Sequence, residues 1–133
     1  MPEARISRQG GDPPSPWEDV FGYSRLVEAG PFVMIGGTTA VDSIGCVVGR
    51  TPYEQAVEVF RKLIHELGRV GLGPADVVQT RMYVTDISRG DEVGRAHGEI
   101  FEEVRPLATM VEVSALIDPR LLVEIELIAF RGT

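Results

Sequence analysis

PLATMVEVSALIDPRLLVEIELIAF, residues Pro106–Phe130, reads as two apolar strands joined by a Pro-containing turn. Successive side chains alternate across a strand, so Leu107, Thr109, Val111 and Val113 share one face, and Ala108, Met110, Glu112 and Ser114 share the other. In the second strand Val123, Ile125, Leu127 and Ala129 alternate with Leu122, Glu124, Glu126 and Ile128. Each strand therefore sets carboxylates among apolar residues on one of its faces. The expected home of such a face is a cleft or a wet subunit interface.

Working outward, the 133 residues are 44% hydrophobic and 25% charged, which is enough apolar matter for one core and one domain over 1–133. No apolar run approaches the roughly 20 residues of a membrane span. The beginning of the chain lacks the apolar core of a signal segment, so a cytoplasmic location is the expectation. A formal charge of −7 with a single lysine, Lys62, argues against nucleic acid, because phosphate contacts need clustered cations. Cys46 has no partner for an internal disulfide, and its DSIGCVVG setting reads as a loop.

Pro2–Ser7 is expected as an edge strand, and 8–20 as a mobile N-terminal arm rich in turn formers, with Trp17 anchoring it. Tyr23–Ala29 and Phe32–Thr38 follow as strands about a Gly30-Pro31 turn, and Gly36-Gly37 marks a bend or a close approach. Thr51–Gly71 is the clearest helix: Thr51 and Glu54 form a capping box around Pro52, and Ala56, Val59, Phe60, Leu63, Ile64, Leu67 and Val70 trace an apolar stripe. Glu58, Lys62 and Glu66 are expected on its outer face as a solvated ladder. His65 has no second ligand at metal spacing. Ala75–Tyr83 reads as a strand and Arg89–Glu102 as a second helix, with His97 at the core edge. This order predicts an α+β fold, a single mixed β-sheet with two helices packed on one face.

Two helices cover only one sheet face, whereas Met110, Leu122 and Ile128 lie beside Glu112, Glu124 and Glu126 on the face expected to be open. A homo-oligomer that closes this face is expected.

The blocks GYSRLVEAGPFVMIGGTTAVD (Gly22–Asp42), VVQTRMYVTDI (Val77–Ile87), P-x-x-x-x-VEV from Pro106 and VEIE-x-IA from Val123 resemble the RidA family. This is the YjgF group of reactive-intermediate deaminases, also called liver perchloric-acid-soluble proteins. The resemblance covers most of the chain after Gly22. It implies a chorismate-mutase-like subunit in a homotrimer, with a small-molecule cleft at each subunit boundary and no metal or cofactor.

In catalytic relatives a cleft arginine grips the carboxylate of an imine or enamine, and a glutamate of the last strand places the hydrolytic water. Mapped by motif, the glutamate is Glu124, the early aromatic is Tyr23, and the backbone turn is Gly36-Gly37. The arginine position is occupied by Ala108, the family's hydroxyl position by Gly36 and its cysteine by Met110; Glu112 shares the face of Ala108 and Met110. Arg25, Arg81 and Arg105 are the arginines that could compensate, and Arg105 is the nearest in sequence to the vacated position. Two functions remain open: hydrolysis of an imine or enamine other than the usual carboxylate-bearing ones, with Glu124 as acid/base, or non-catalytic binding of a small metabolite. A structural role is the competing reading for Glu124 and Glu112. Loss of a charged hydrogen bond costs about 1.5–3 kcal/mol, so turnover of 2-iminobutanoate is expected to be weak.

Overall fold

The computed structural model describes residues 5–132. Six strands, β1 (Ile6–Gln9), β2 (Leu26–Ala29), β3 (Phe32–Thr39), β4 (Val77–Val84), β5 (Leu107–Glu112) and β6 (Val123–Phe130), form one sheet in the order β1-β2-β3-β6-β4-β5. Every neighbouring pair is antiparallel except β4 and β5. The helices are α1 (Trp17–Phe21), α2 (Pro52–Arg69) and α3 (Gly90–Phe101). Parallel neighbours need a crossover connection, and α3 supplies the one between β4 and β5. The architecture is the expected α+β one, with α2 and α3 packed on one sheet face. Residues 2–4 of the expected Pro2–Ser7 strand lie outside the described residues, and the strand found here runs on to Gln9.

The core follows from helical and strand periodicity acting together. From α2, Ala56, Val59, Phe60, Leu63 and Leu67 are buried, and they meet Val33 and Ile35 of β3, Met82 and Val84 of β4, and Val123, Ile125 and Leu127 of β6. Complete burial of side chains this size stabilises by about 1.5–3 kcal/mol each. The helix starts where the sequence predicts: Thr51 Oγ1 accepts from Glu54 N at 3.1 Å, and Glu54 Oε1 accepts from Thr51 N at 3.2 Å. At the core edge Thr80 Oγ1 and His97 Nε2 are 2.8 Å apart, and the His97 ring packs against Phe60 and Phe101. Burial pushes the His97 pKa down, favouring the neutral ring. No helix among the described residues is long and apolar enough to cross a membrane.

Three expectations are corrected. Glu58, Lys62 and Glu66 do not form a solvated ladder. Glu58 pairs with Arg61 at 2.7 Å, Glu66 is buried and pairs with Arg69, and Lys62 turns toward the sheet. Its Nζ donates to the carbonyls of Thr39 at 2.6 Å and Val41 at 2.8 Å, with its pKa lowered by burial. Lys62 flanks the apolar stripe, and its aliphatic stem lies along the core while the ammonium reaches polar atoms beyond it.

Trp17 does not anchor the arm. It is half exposed and stacks on Phe21 of its own short helix at 5.3 Å. The arm is held by carboxylates instead: Glu18, nearly fully buried, accepts from Gly11 N and Ser15 N, and Glu66 accepts from Asp12 N.

The third correction concerns β5. The two strands of Pro106–Phe130 do not pair with each other, because β4 lies between them. In the β4–β5 register Thr80, Met82 and Val84 stand beside Ala108, Met110 and Glu112, and these β4 residues are buried under the helices. Ala108, Met110 and Glu112 are therefore on the helix side of the sheet. A Cβ on Gly90 would lie 2.9 Å from Met110 Sδ, and Glu112 Oε1 accepts from Ile87 N at 3.1 Å. The open face receives Leu107, Thr109 and Val111 from β5, and Glu124, Glu126, Ile128 and Phe130 from β6.

Candidate active site

The polar centre of the open face forms where β3 is interrupted. The register of β3 with β6 shifts between Ile35 and Thr38, which is the signature of a bulge at Gly36-Gly37. Glu124, opposite Thr39, extends its carboxylate over this bulge; a Cβ on Gly37 would overlap Glu124 Oε2. Any side chain at 37 requires the Glu124 carboxylate to move aside. At Gly36 the requirement is absent, since an added Cβ would have as its nearest neighbours the carbonyls of Ser24 and Arg25 at 3.8 and 3.9 Å.

Gly36→Ser is therefore expected to fold with stability within about 1 kcal/mol of the parent. Gly37→Ser should lose about 1–3 kcal/mol and displace Glu124. Thermal denaturation of the two variants checks this pair, and equal losses would contradict the geometry.

Arg25, just before β2, completes the arrangement. Its Nη1 donates to Gly37 O at 2.7 Å and to Thr38 Oγ1 at 3.2 Å, so it grips the bulge that Glu124 covers. Burial pushes the Glu124 carboxyl above its ordinary value; the Arg25 cation pulls it down, and Glu126 pushes it up. A carboxyl whose proton is held more tightly than usual is suited to accept a proton and return it. Tyr23, partly exposed, has its ring centroid 5.9 Å from the Arg25 guanidinium carbon.

Next to Glu124 on the same face, Tyr83 donates its hydroxyl to Glu126 Oε1 at 2.5 Å, and Arg81 Nη1 lies 3.9 Å from that oxygen. The hydrogen bond to Glu126 raises the Tyr83 pKa, since losing the proton would set two anions together. A depression of about 360 Å³ adjoins this group, lined by Arg25, Arg81, Glu126, Val27, Met34 and Ile128.

Of the positions expected from sequence, Tyr23, Gly36, Gly37 and Glu124 come together within one chain. Ala108, Met110 and Glu112 do not join them, being on the opposite side of the sheet. Arg105 is also elsewhere: it caps the end of α3, with Nε donating to Glu102 O at 3.0 Å. Tyr83 stands beside both Glu124 and Val111, whereas Arg105 lies before the start of β5 at Leu107, in a left-handed backbone conformation. The arginine whose charge acts on Glu124 is Arg25, 99 residues earlier in the sequence. Tyr83 was legible only as an alternating residue of β4, and Arg81 also as one of the three candidate compensating arginines.

An open sheet face with a half-buried carboxylate over a glycine bulge, backed by two helices, defines a small α+β protein with a polar cleft. The chain belongs to the Endoribonuclease L-PSP family, the RidA or YjgF group, whose model matches residues 17–131. An uncharacterized protein of Streptomyces coelicolor is 41% identical over 118 residues, which cover 89% of this chain and 88% of that one. A RutC family protein of Saccharolobus solfataricus is 32% identical over 109 residues, 80% of this chain and 85% of that one. The crystal structure of a Mycobacterium tuberculosis member of the YjgF/YER057c/UK114 family superposes with a TM-score of 0.84 at 43% identity, covering 95% of this chain and 99% of that one.

Proposed function

We propose that the chain works as a homotrimer that closes the open sheet face, and that the Glu124 cleft hydrolyses small imines or enamines. The observation that carries this reading is Glu124 itself: half-buried, raised in pKa, and seated over Gly37 beside Arg25. Glu124 in its ionised form takes a proton from the attacking water as oxygen bonds to the imine carbon. The imine reacts in its protonated form, so water addition gives a carbinolamine. Glu124 returns its proton to the amine nitrogen as the carbon–nitrogen bond breaks, and the hydroxyl proton passes to solvent as the carbonyl forms. One water is consumed, and a carbonyl product and ammonia are released.

Ala108 contributes no charge at the position where catalytic relatives hold a carboxylate, so 2-iminobutanoate is expected to be a poor substrate. The test is to generate imines in situ from several amino acids and from simple amines, and to follow ammonia release with and without the protein. A second reading, non-catalytic binding of a metabolite, is favoured by the absence of a functional group at Gly36, beside Glu124 and Gly37. Saturable ligand binding with no turnover of any imine would establish that reading instead.

Assembly has its own support. Phe32, Phe130, Leu107 and Val111 on the open face are 44%, 43%, 71% and 42% exposed, a patch that no described element covers. Ile128 lies among them, beside Met34 and Gln79. Ile128→Asp is expected to shift the protein toward monomer in light scattering, because burying an unpaired carboxylate beside Glu126 is costly. Met110→Asp, on the helix side, should leave the oligomer far less affected. Monomeric behaviour of the parent at micromolar concentration would overturn the proposal.

A further inference from the structure

Among the described residues, none donates a hydrogen bond to the Glu124 carboxylate; what acts on it is burial and two charges, those of Arg25 and Glu126. No side-chain oxygen of a described residue is both fully buried and unbonded, so the Glu124 oxygens stay within reach of solvent. Glu126 is held in the opposite manner. The β4–β6 register sets Tyr83 opposite Glu124 and Arg81 opposite Glu126, and Tyr83 reaches diagonally to donate its hydroxyl to Glu126 Oε1 at 2.5 Å. Arg81 Nη1 stands 3.9 Å from the same oxygen. The one hydroxyl proton of Tyr83 is thus committed to Glu126, and its raised pKa keeps it there. The other cations around Glu124 are engaged with backbone: Arg25 at Gly37, and Lys62 of α2 at Thr39 and Val41.

Glu126 follows Glu124 by two residues on one strand face, which is about 7 Å along the chain. An anion at that distance acts on its neighbour, whereas a carboxylate drawn fully onto the Arg81 guanidinium would have its charge offset. We propose that Tyr83 is a positioning residue for Glu124: its hydroxyl pins the Glu126 carboxylate in place, so that a second negative charge stands beside the carboxyl that carries the proton. This role rests on reading Glu124 as the acid/base of the cleft. It adds that the pH range of the cleft is set from β4, by a hydroxyl that touches neither Glu124 nor the substrate. A phenylalanine at 83 would fill the same space without that effect.

The experiment follows the Glu124 carboxyl through a pH titration by carbon NMR of glutamate-labelled protein, with its signal assigned by its loss in Glu124→Gln. Glu126→Gln keeps the shape and removes the charge. A carboxyl beside one fewer anion releases its proton more easily, so Glu124 should then titrate about 0.5–1.5 pH units lower. Tyr83→Phe keeps the ring and should move the titration the same way by a smaller step. Because Tyr83 acts through Glu126, Tyr83→Phe should add nothing in the Glu126→Gln background; a role in packing alone would leave the Glu124 titration in place in both backgrounds. Where an imine is turned over, the acidic limb of the kcat profile should move with the titration and KM should change little.

An unmoved Glu124 titration in Tyr83→Phe, or the same step in both backgrounds, would overturn the assignment. Should Tyr83→Phe fail to fold, Glu126→Gln decides alone, and an unmoved Glu124 there removes the charge on which the proposal depends. If the titration shifts as expected while no imine is hydrolysed, the hydrolase reading falls and the Tyr83–Glu126–Glu124 coupling stands.

Discussion

Glu124→Gln should lower any imine hydrolysis by about 10²- to 10⁴-fold, the usual contribution of a positioned acid/base, while leaving the fold intact. Glutamine keeps the shape that fits over Gly37 but cannot carry a proton between water and nitrogen. The same variant has a signature in stability. Burial raises the folded-state pKa of Glu124, so the ionised carboxylate opposes folding; that cost is present above the folded-state pKa and vanishes as pH falls below the unfolded value of 4.5. Glu124→Gln should therefore compare more favourably with the parent at pH 8 than at pH 4 in chemical denaturation. Undiminished turnover would remove Glu124 from the mechanism, and a stability difference independent of pH would mean that the carboxylate is not strained by burial.

Gln55→Leu should cost about 3–5 kcal/mol, a large share of the 5–15 kcal/mol typical of a domain. Gln55 is 1% exposed and has all its bonds outside its own helix. Its Nε2 donates to Gly49 O at 3.2 Å and Arg120 O at 2.9 Å, and its Oε1 accepts from Leu122 N at 2.8 Å. Leucine of similar size would leave those three backbone groups without partners. The effect should reach the site, because Leu122 is the residue that leads into β6, two positions before Glu124. Urea denaturation measures the loss, and a change under 1 kcal/mol would mean that the loops re-form their bonds with water.

The fold was legible where one signal is local and complete. The Thr51–Glu54 box and the stripe from Ala56 to Leu67 define α2 without help from other segments. Alternation in VEIE likewise puts Glu124 and Glu126 opposite the core residues Val123 and Ile125. It failed for β5 because alternation sorts residues into two sets without saying which set faces the helices. That choice depends on the parallel pairing with β4, a long-range contact. Lys62 misled because a long side chain at the flank of a stripe can turn either way.

In the site, Glu124 and Gly37 were readable from motif. Arg25 was one of three candidate arginines for Glu124, and the choice of Arg25 was not readable, since it arises from where β2 lies alongside β3. Trp17 drew attention by size, while the anchoring of the arm fell to Glu18.

Past Ile35, the partner of Leu26, no described strand flanks β3 on the β2 side, and carbonyls along this stretch and just beyond it accept from Arg25 at Gly37 and from Lys62 at Thr39 and Val41. A strand margin left bare in this way is a template on which a foreign chain can add itself, and the usual outcome is aggregation. Two cations occupy the acceptors that such a strand would need, so the half of β3 that must stay apart from β2 to open the cleft is also denied to intruders. Neutral replacements at 25 and 62 together would expose that margin, and the damage would show as loss of solubility before it showed as loss of any activity.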